Sequence, residues 1–248
     1  MSNTNSKTIL LPNGVSIMNA FGERENMGTT ATGEDVWRGT ATTIPIPSSS
    51  GEQMTLVSDD TQDTTLGTGA RRIKLHYIQA VTGAEMVETV DLDGTTPVDT
   101  VATDIMFIND IYTVLTGSNG VAEGDIIVYK KGAASTIYSM ISAGGNKAMI
   151  PNRMVPAGHT LVMKGWHCEE AQGKRCAIRI RSTDMRGVLL PVFCFKDVAY
   201  LKQTASGMLE LNDNIPALSI IKVSAWPDQA AAETSCSWWG ELWPNSLI

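Results

Sequence analysis

Long apolar runs are the first thing missing from this 248-residue chain. Hydrophobic residues make up 43% of it and mean hydropathy is −0.03, yet no stretch approaches the roughly 18 consecutive apolar residues of a membrane-spanning helix. The expectation is a soluble protein with no membrane partner. Helical signal is also scarce: no long segment keeps apolar residues at i, i+3, i+4 and i+7, and Gly or Pro interrupts almost every candidate. The best candidate, Pro227 to Glu233, is about two turns at most. Positive charge is in deficit, with 19 Lys and Arg against 26 Asp and Glu and a net charge of −7. That balance argues against a duplex nucleic-acid binder, which must neutralise many phosphates. The first residues, Met1 to Thr8, have neither the basic flank and apolar core of a signal peptide nor a lipidation motif, so no export by the usual route is expected.

The four cysteines, Cys168, Cys176, Cys194 and Cys236, are too few and too late in the chain to frame a disulfide scaffold, and are read as reduced, buried thiols. Cys168 and Cys176 lie symmetrically about Gln172 in an expected hairpin, from which they could pair if oxidised.

What the chain does have is strand and turn chemistry. Ile73, Leu75 and Tyr77 alternate with Arg72, Lys74 and His76, the period-2 pattern of a sheet with one buried face. Ile105 to Ile108, Ile111 to Leu115 and Ile126 to Tyr129 follow at sandwich-like spacing. A second set comprises Thr160 to Trp166, Cys176 to Arg181, Val188 to Phe195, Met208 to Leu211 and Ile220 to Ala225. Residues 142 to 151 are the one plausible internal boundary and are read as a loop inside a single sandwich. The first 70 residues hold only brief apolar islands, Ile9 to Leu11, Ile44 to Pro47 and Met54 to Val57, too little to bury a core alone. The fold expectation is all-β: an antiparallel β-sandwich of jelly-roll type over residues 34–248, with an extended N-terminal arm over residues 1–33.

Catalytic and metal motifs find little support. His167 and Cys168 are neighbours and point to opposite faces of a strand, and neither paired C-x2-C nor H-x3-H spacing occurs. Asp91-Leu92-Asp93-Gly94 lacks the remaining ligands of a calcium loop and is read as a tight turn. There is no Gly-x-Ser-x-Gly elbow, and His76, His159 and His167 lack a recognisable partner motif. The paired carboxylates Asp59-Asp60 and Glu169-Glu170 sit in turn-like sequence. No catalytic residue, metal or cofactor is expected, and the chain is read as a non-enzyme.

Aromatic residues are the remaining signal. Three of the six tryptophans, Trp238, Trp239 and Trp243, fall within six residues near the end of the chain, and such rings either close a core or form an interface. Alternation groups Trp239 with Trp243 and Trp238 with Leu242; the first pair is assigned to the core and Trp238 to an interface. Trp37 is too large to leave in water without a surface to cover. The candidate partner-interface residues are Phe21, Trp37, Trp226 and Trp238.

Several segments resemble, in order, virion structural proteins of tailed bacteriophages, especially those of marine bacteria. They are Phe21-Gly22-Glu23-Arg24, Thr29-Thr30 to Glu34-Asp35-Val36-Trp37, Gly67-Thr68-Gly69-Ala70-Arg71, Leu92 to Val98 and Val155-Pro156-Ala157-Gly158. The resemblance covers most of the chain and rests on turn and strand motifs. Glu23, Glu25 and the tryptophan-rich end depart from it. It implies a non-enzymatic component of the phage particle, most simply a capsid decoration or cement protein on the head surface. Such a protein would be assembled in the host cytoplasm, self-associate as a homo-oligomer such as a trimer, and bind the major capsid protein. The alternative it leaves open is a tail-associated or head-fibre protein that recognises host surface glycans.

Overall fold

The computed structural model describes residues 12–183, 192–202 and 205–248. The chain begins with β1 (Ser16–Met27) and β2 (Glu34–Asp35). It then enters a block of seven strands: β3 (Met54–Ser58), β4 (Ala70–Gln79), β5 (Glu85–Asp91), β6 (Val98–Asp99), β7 (Ile105–Thr116), β8 (Ile126–Lys130) and β9 (Ala133–Ile141). It returns through β10 (Arg153–Met154), β11 (His159–Glu170), β12 (Cys176–Thr183), β13 (Phe193–Leu201), β14 (Ala205–Ile215), β15 (Ile220–Pro227) and β16 (Ala232–Pro244). All pairings are antiparallel. The expected helix at Pro227 to Glu233 is instead the end of β15, a bend and the start of β16. Its alanines favour a helix, but Ala232 pairs with Met27 and is fully buried, so tertiary pairing overrides propensity.

Two sheets, β1-β16-β11-β14 and β10-β15-β12-β13, form one sandwich. Counting its eight main strands in chain order, the first sheet runs first, last, third, sixth and the second runs second, seventh, fourth, fifth. This is the eight-stranded double Greek key of a jelly roll, as expected from the sequence. Strand β2 extends the second sheet by pairing with β15. Inward residues from both sheets, among them Met163, Trp166, Ile178, Ile180, Val223 and Trp238, make one buried cluster.

The single sandwich expected from sequence is two. Sheets β6-β3-β8-β9 and β5-β4-β7 enclose a second cluster built on Leu56, Ile73, Leu75, Ile111, Ile126 and Val128. This smaller sandwich is inserted between the first and second main strands of the jelly roll. Within the expected arm, Ser16–Met27 pair along β16 from Ser16–Leu242 to Met27–Ala232 and turn Met18, Ala20 and Met27 into the jelly-roll core. The island Ile9 to Leu11 lies outside the described residues, as do positions 188–191 of the strand expected at Val188 to Phe195.

The chain crosses between the two bodies twice, and both crossings are fixed. At the first, Val36 enters the jelly-roll core and its neighbour Trp37 the core of the inserted sandwich. Near this crossing Gly22 meets the return segment: a Cβ there would lie 2.4 Å from Pro151 and 2.5 Å from the Val36 carbonyl. At the second, Arg153 is buried between the Ile150 and Asn152 carbonyls and Asp110, 3.3 Å away. Burial pulls the Arg153 pKa down, and Asp110 and Glu85 oppose that shift. The Asn109 amide pairs with both backbone groups of Met154, and the Trp238 indole donates to the Pro151 carbonyl at 2.7 Å. Ile78, Phe107, Met154 and Ile220 fill the seam between the bodies.

Candidate functional site

The four residues expected at a partner interface divide into two pairs. Trp37 and Trp238 are 0% and 1% exposed. Their indole N–H groups donate to the Ala41 and Pro151 carbonyls, so they have no surface to offer and are corrected to core residues. Phe21 and Trp226 do reach the surface, on opposite faces of the jelly roll.

The assignment of Trp239 and Trp243 to the core is inverted as well. On β16 the inward residues are Ala232, Thr234, Cys236, Trp238, Gly240 and Leu242, and the outward row carries Glu233, Ser235, Ser237, Trp239, Glu241 and Trp243. Read over all thirteen residues, the charged and hydroxyl row marks the solvent side; the tryptophans alone are ambiguous.

On the outer face of the β1-β16-β11-β14 sheet, Asn19 pairs with Trp239 and Phe21 with Ser237. The Trp239 ring lies over Gly165, where a Cβ would come within 2.7 Å of it. Beside these residues the 145–149 segment of the inserted sandwich brings Asn146 and Lys147 across, closing a cleft of about 520 Å³ with Phe21, Trp239, Asn19 and Ser237. Lys147 is held by Asp110 at 2.7 Å. Two rings flanked by amide, hydroxyl and ammonium groups can stack on a flat apolar ligand face while hydrogen-bonding its edges. Next to this cleft, Phe21, Glu23, Glu169 and Glu233 line a hollow of about 400 Å³. The Glu23, Glu25 and Glu233 carboxylates lie within 4.8 Å of one another, and Arg38 bridges Glu23 at 2.8 Å and Glu25 at 3.1 Å. A guanidinium therefore already pairs with two of these three carboxylates.

On the opposite face Trp226 stands in an arginine-aromatic array. Arg179 lies 4.2 Å from the Trp226 ring and 4.8 Å from Phe195; Arg181 lies 5.1 Å from Trp226 and 5.5 Å from Phe193. Contacts of this kind favour a desolvated guanidinium. Beneath them Asp35, 2% exposed, accepts from the Ile44 N–H at 2.9 Å, from Lys222 at 3.1 Å and from the Ser224 hydroxyl. Burial pulls the pKa of Lys222 and Arg181 down, with Asp35 opposing it. Sequence reasoning saw the alternation of Ile178-Arg179-Ile180-Arg181 but not this array, because the pairing of Arg179 with Val198 and Arg181 with Phe195 is not written in either strand alone.

Cys168 and Cys176 are not partners across a hairpin. The 171–175 link carries the chain from one sheet of the jelly roll to the other, and the lateral neighbour of Cys168 is Cys236 on β16. All four cysteines are free thiols, three of them buried. Burial raises the pKa of Cys168 and Cys176 to about 12 and that of Cys236 well above its ordinary value. Asp93 to Thr96 form the tight turn expected there, closed by the Thr96 N–H on the Asp93 carbonyl at 3.0 Å. His76 lies 3.2 Å from the Tyr112 hydroxyl and His159 3.0 Å from the Ala157 carbonyl.

No protein-family model matches the chain, and no curated protein matches it. Among solved structures it is similar to the infectious bursal disease virus VP2 subviral particle, at 11% identity over 93% of this chain and 73% of that one, with a TM-score of 0.28. It is similar also to the infectious bursal disease virus Gx strain structure, at 10% identity over 93% and 72% of the two chains, with the same TM-score.

Proposed function

We propose that this chain is a non-enzymatic structural protein of a bacteriophage virion, a decoration or cement protein that binds the major capsid protein and stabilises the head. The observation that carries the reading is where the motifs of the sequence resemblance fall: they build joints. Gly22 seats the first strand against Pro151 and Val36. Glu34 pairs with buried Arg24 at 2.7 Å, Asp35 holds Lys222, and Val36-Trp37 span both cores. Gly67 to Arg71 wrap the buried Asp63 carboxylate, which accepts the N–H groups of Ala70, Glu123 and Gly124 and the Ser58 hydroxyl. Residues so placed serve shape and rigidity rather than a reaction. A jelly roll is an architecture of viral capsid and lectin domains, although fold alone does not decide function.

The aromatic cleft at Phe21 and Trp239 favours a second reading, a tail-associated or head-fibre protein that binds host glycans. Copy number separates the two. Gel densitometry of purified particles against the major capsid protein should give hundreds of copies for a decoration protein; a few or tens would overturn that reading in favour of the second.

A further inference from the structure

Among the described residues the outward face of the β10-β15-β12-β13 sheet is covered only along β15, where Asp35 lies on Lys222 and Ser224 and residues 31–33 lie on Trp226, whereas the β12-β13 side carries exposed side chains. Alternation projects Arg179 and Arg181 from β12, Trp226 from β15 and Phe195 and Tyr200 from β13, and the last two are 55% and 79% exposed. At one end Arg175 and Lys202 join Tyr200 and Trp226 around a hollow of about 480 Å³. Asp35 engages Arg181 and Lys222, whereas among the described residues Arg179 has only rings against it. Arginine with tryptophan and tyrosine is the composition of binding hot spots rather than of a solvated face. On a chain of net charge −7 this face is locally positive.

The complement stands on the opposite side of the same sandwich. There Glu169, Glu233 and Glu210 project outward, with exposed Phe21 and half-buried Trp239 among them. We propose that the Arg179-Trp226-Tyr200 face docks onto the Glu169-Glu233 face of a second copy of this chain, head to tail. The two faces are different, so the contact is heterologous, and it continues through further copies until the rotation closes a ring. The three long strands β15, β12 and β13, at about 4.8 Å spacing and about eight residues long at roughly 3.3 Å each, give about 380 Å² per partner. The total of about 760 Å² lies below the standard size of specific interfaces, in the range of weak, transient association, so the contact is reversible. The inference rests on the self-association that the sequence resemblance implies for the proposed decoration protein but not on where in a virion the protein sits. It is therefore tested on the purified chain, separately from particle copy number.

Sedimentation velocity of the full chain at low and high salt is the experiment. Wild type should associate with rising concentration, and less so in high salt, where exposed charges are screened. Phe195→Ser/Tyr200→Ser removes exposed rings and should weaken association roughly tenfold or more. Glu169→Arg/Glu233→Arg should do the same from the other side. Each variant keeps one intact face, so mixing the two should yield heterodimers and nothing larger. Circular dichroism establishes that both remain folded, and Arg179→Gln is the replacement if the ring variant does not. A wild type that stays monomeric, a variant that self-associates as wild type does, or mixed assemblies beyond dimers would overturn the proposal.

Discussion

Replacing Trp238 tests the arrangement of the jelly-roll core most directly. Its ring is 1% exposed, faces Trp166 and Ala20 across the two neighbouring strands, and donates to the Pro151 carbonyl. Trp238→Ala loses about 3–5 kcal/mol of buried aromatic packing. It also leaves the Pro151 carbonyl without its donor, at about 1–3 kcal/mol. The sum, about 4–8 kcal/mol, approaches the whole stability of a typical domain, so the readable variant is Trp238→Phe. That change keeps most of the apolar surface and gives up the hydrogen bond. It should cost about 1–3 kcal/mol, and each kcal/mol lowers Tm by about 2–4 °C in a chain of this size. Trp239→Ala, on the half-buried outer row, should cost no more than about 1.5 kcal/mol, a fraction of full aromatic burial. Urea unfolding followed by circular dichroism measures all three. Because the two clusters are separate, the jelly-roll transition should move while that of the inserted sandwich stays. A Trp239→Ala variant as destabilised as Trp238→Phe, or equal movement of every transition, would refute the assignment of strand faces.

Asp35→Ala leaves Lys222 and Arg181 without their buried counter-charge and should destabilise by about 3–5 kcal/mol; adding Lys222→Met should recover part of that loss in the same urea titration. Alkylation of the native protein near pH 8 should label exposed Cys194 and spare Cys168, Cys176 and Cys236, with all four labelled after unfolding, as mass spectrometry would read. Cys168 and Cys176 titrate near 12 in the folded chain against an ordinary 9.0. The unfolded state therefore releases protons first, and stability present below pH 9 should fall by up to about 1.4 kcal/mol per pH unit per thiol above it; a flat Tm between pH 9 and 11 would contradict the burial of these thiols. Deleting residues 1–33 removes β1, with Met18, Ala20 and Met27, from the side of β16, and should abolish the jelly-roll transition rather than leave a folded domain.

The alternating strands were legible in the sequence because their inward positions are strongly apolar. Ile73 and Leu75, and Ile178 and Ile180, are all fully buried where period-2 reasoning put them. Strand β1 was not, since its inward row is Met18, Ala20, Gly22 and Arg24, one strong apolar side chain followed by small and charged ones. Arg24 is tolerated inside because Glu34 and the Gly39 and Ala41 carbonyls receive its guanidinium. Residues 171–175 have the length of a hairpin loop, and nothing local distinguishes a turn within a sheet from a passage between sheets. The second core escaped notice for the same reason: the partner of Ser16 is Leu242, and the sequence around either says nothing of the other. For the candidate site, Phe21 and Trp226 were reached through their size, while Arg179, Tyr200 and Trp239 needed the cross-strand register.

The insertion sets a timetable for synthesis. Strand β1 leaves the ribosome before the other described strands and β16, beside which it lies, after them. The inserted sandwich has its strands complete at Ile141 and can close while the roughly one hundred residues through the end of β16 are still to be made, about 5–20 s of translation at ordinary rates. Throughout that interval β1 is a nascent edge with unpaired backbone groups and with its own Ile17 and Phe21 exposed, the kind of surface that joins another chain. Its alternation of Asn19, Glu23 and Glu25 with small or charged inward residues keeps that edge weakly adhesive until its own partner arrives.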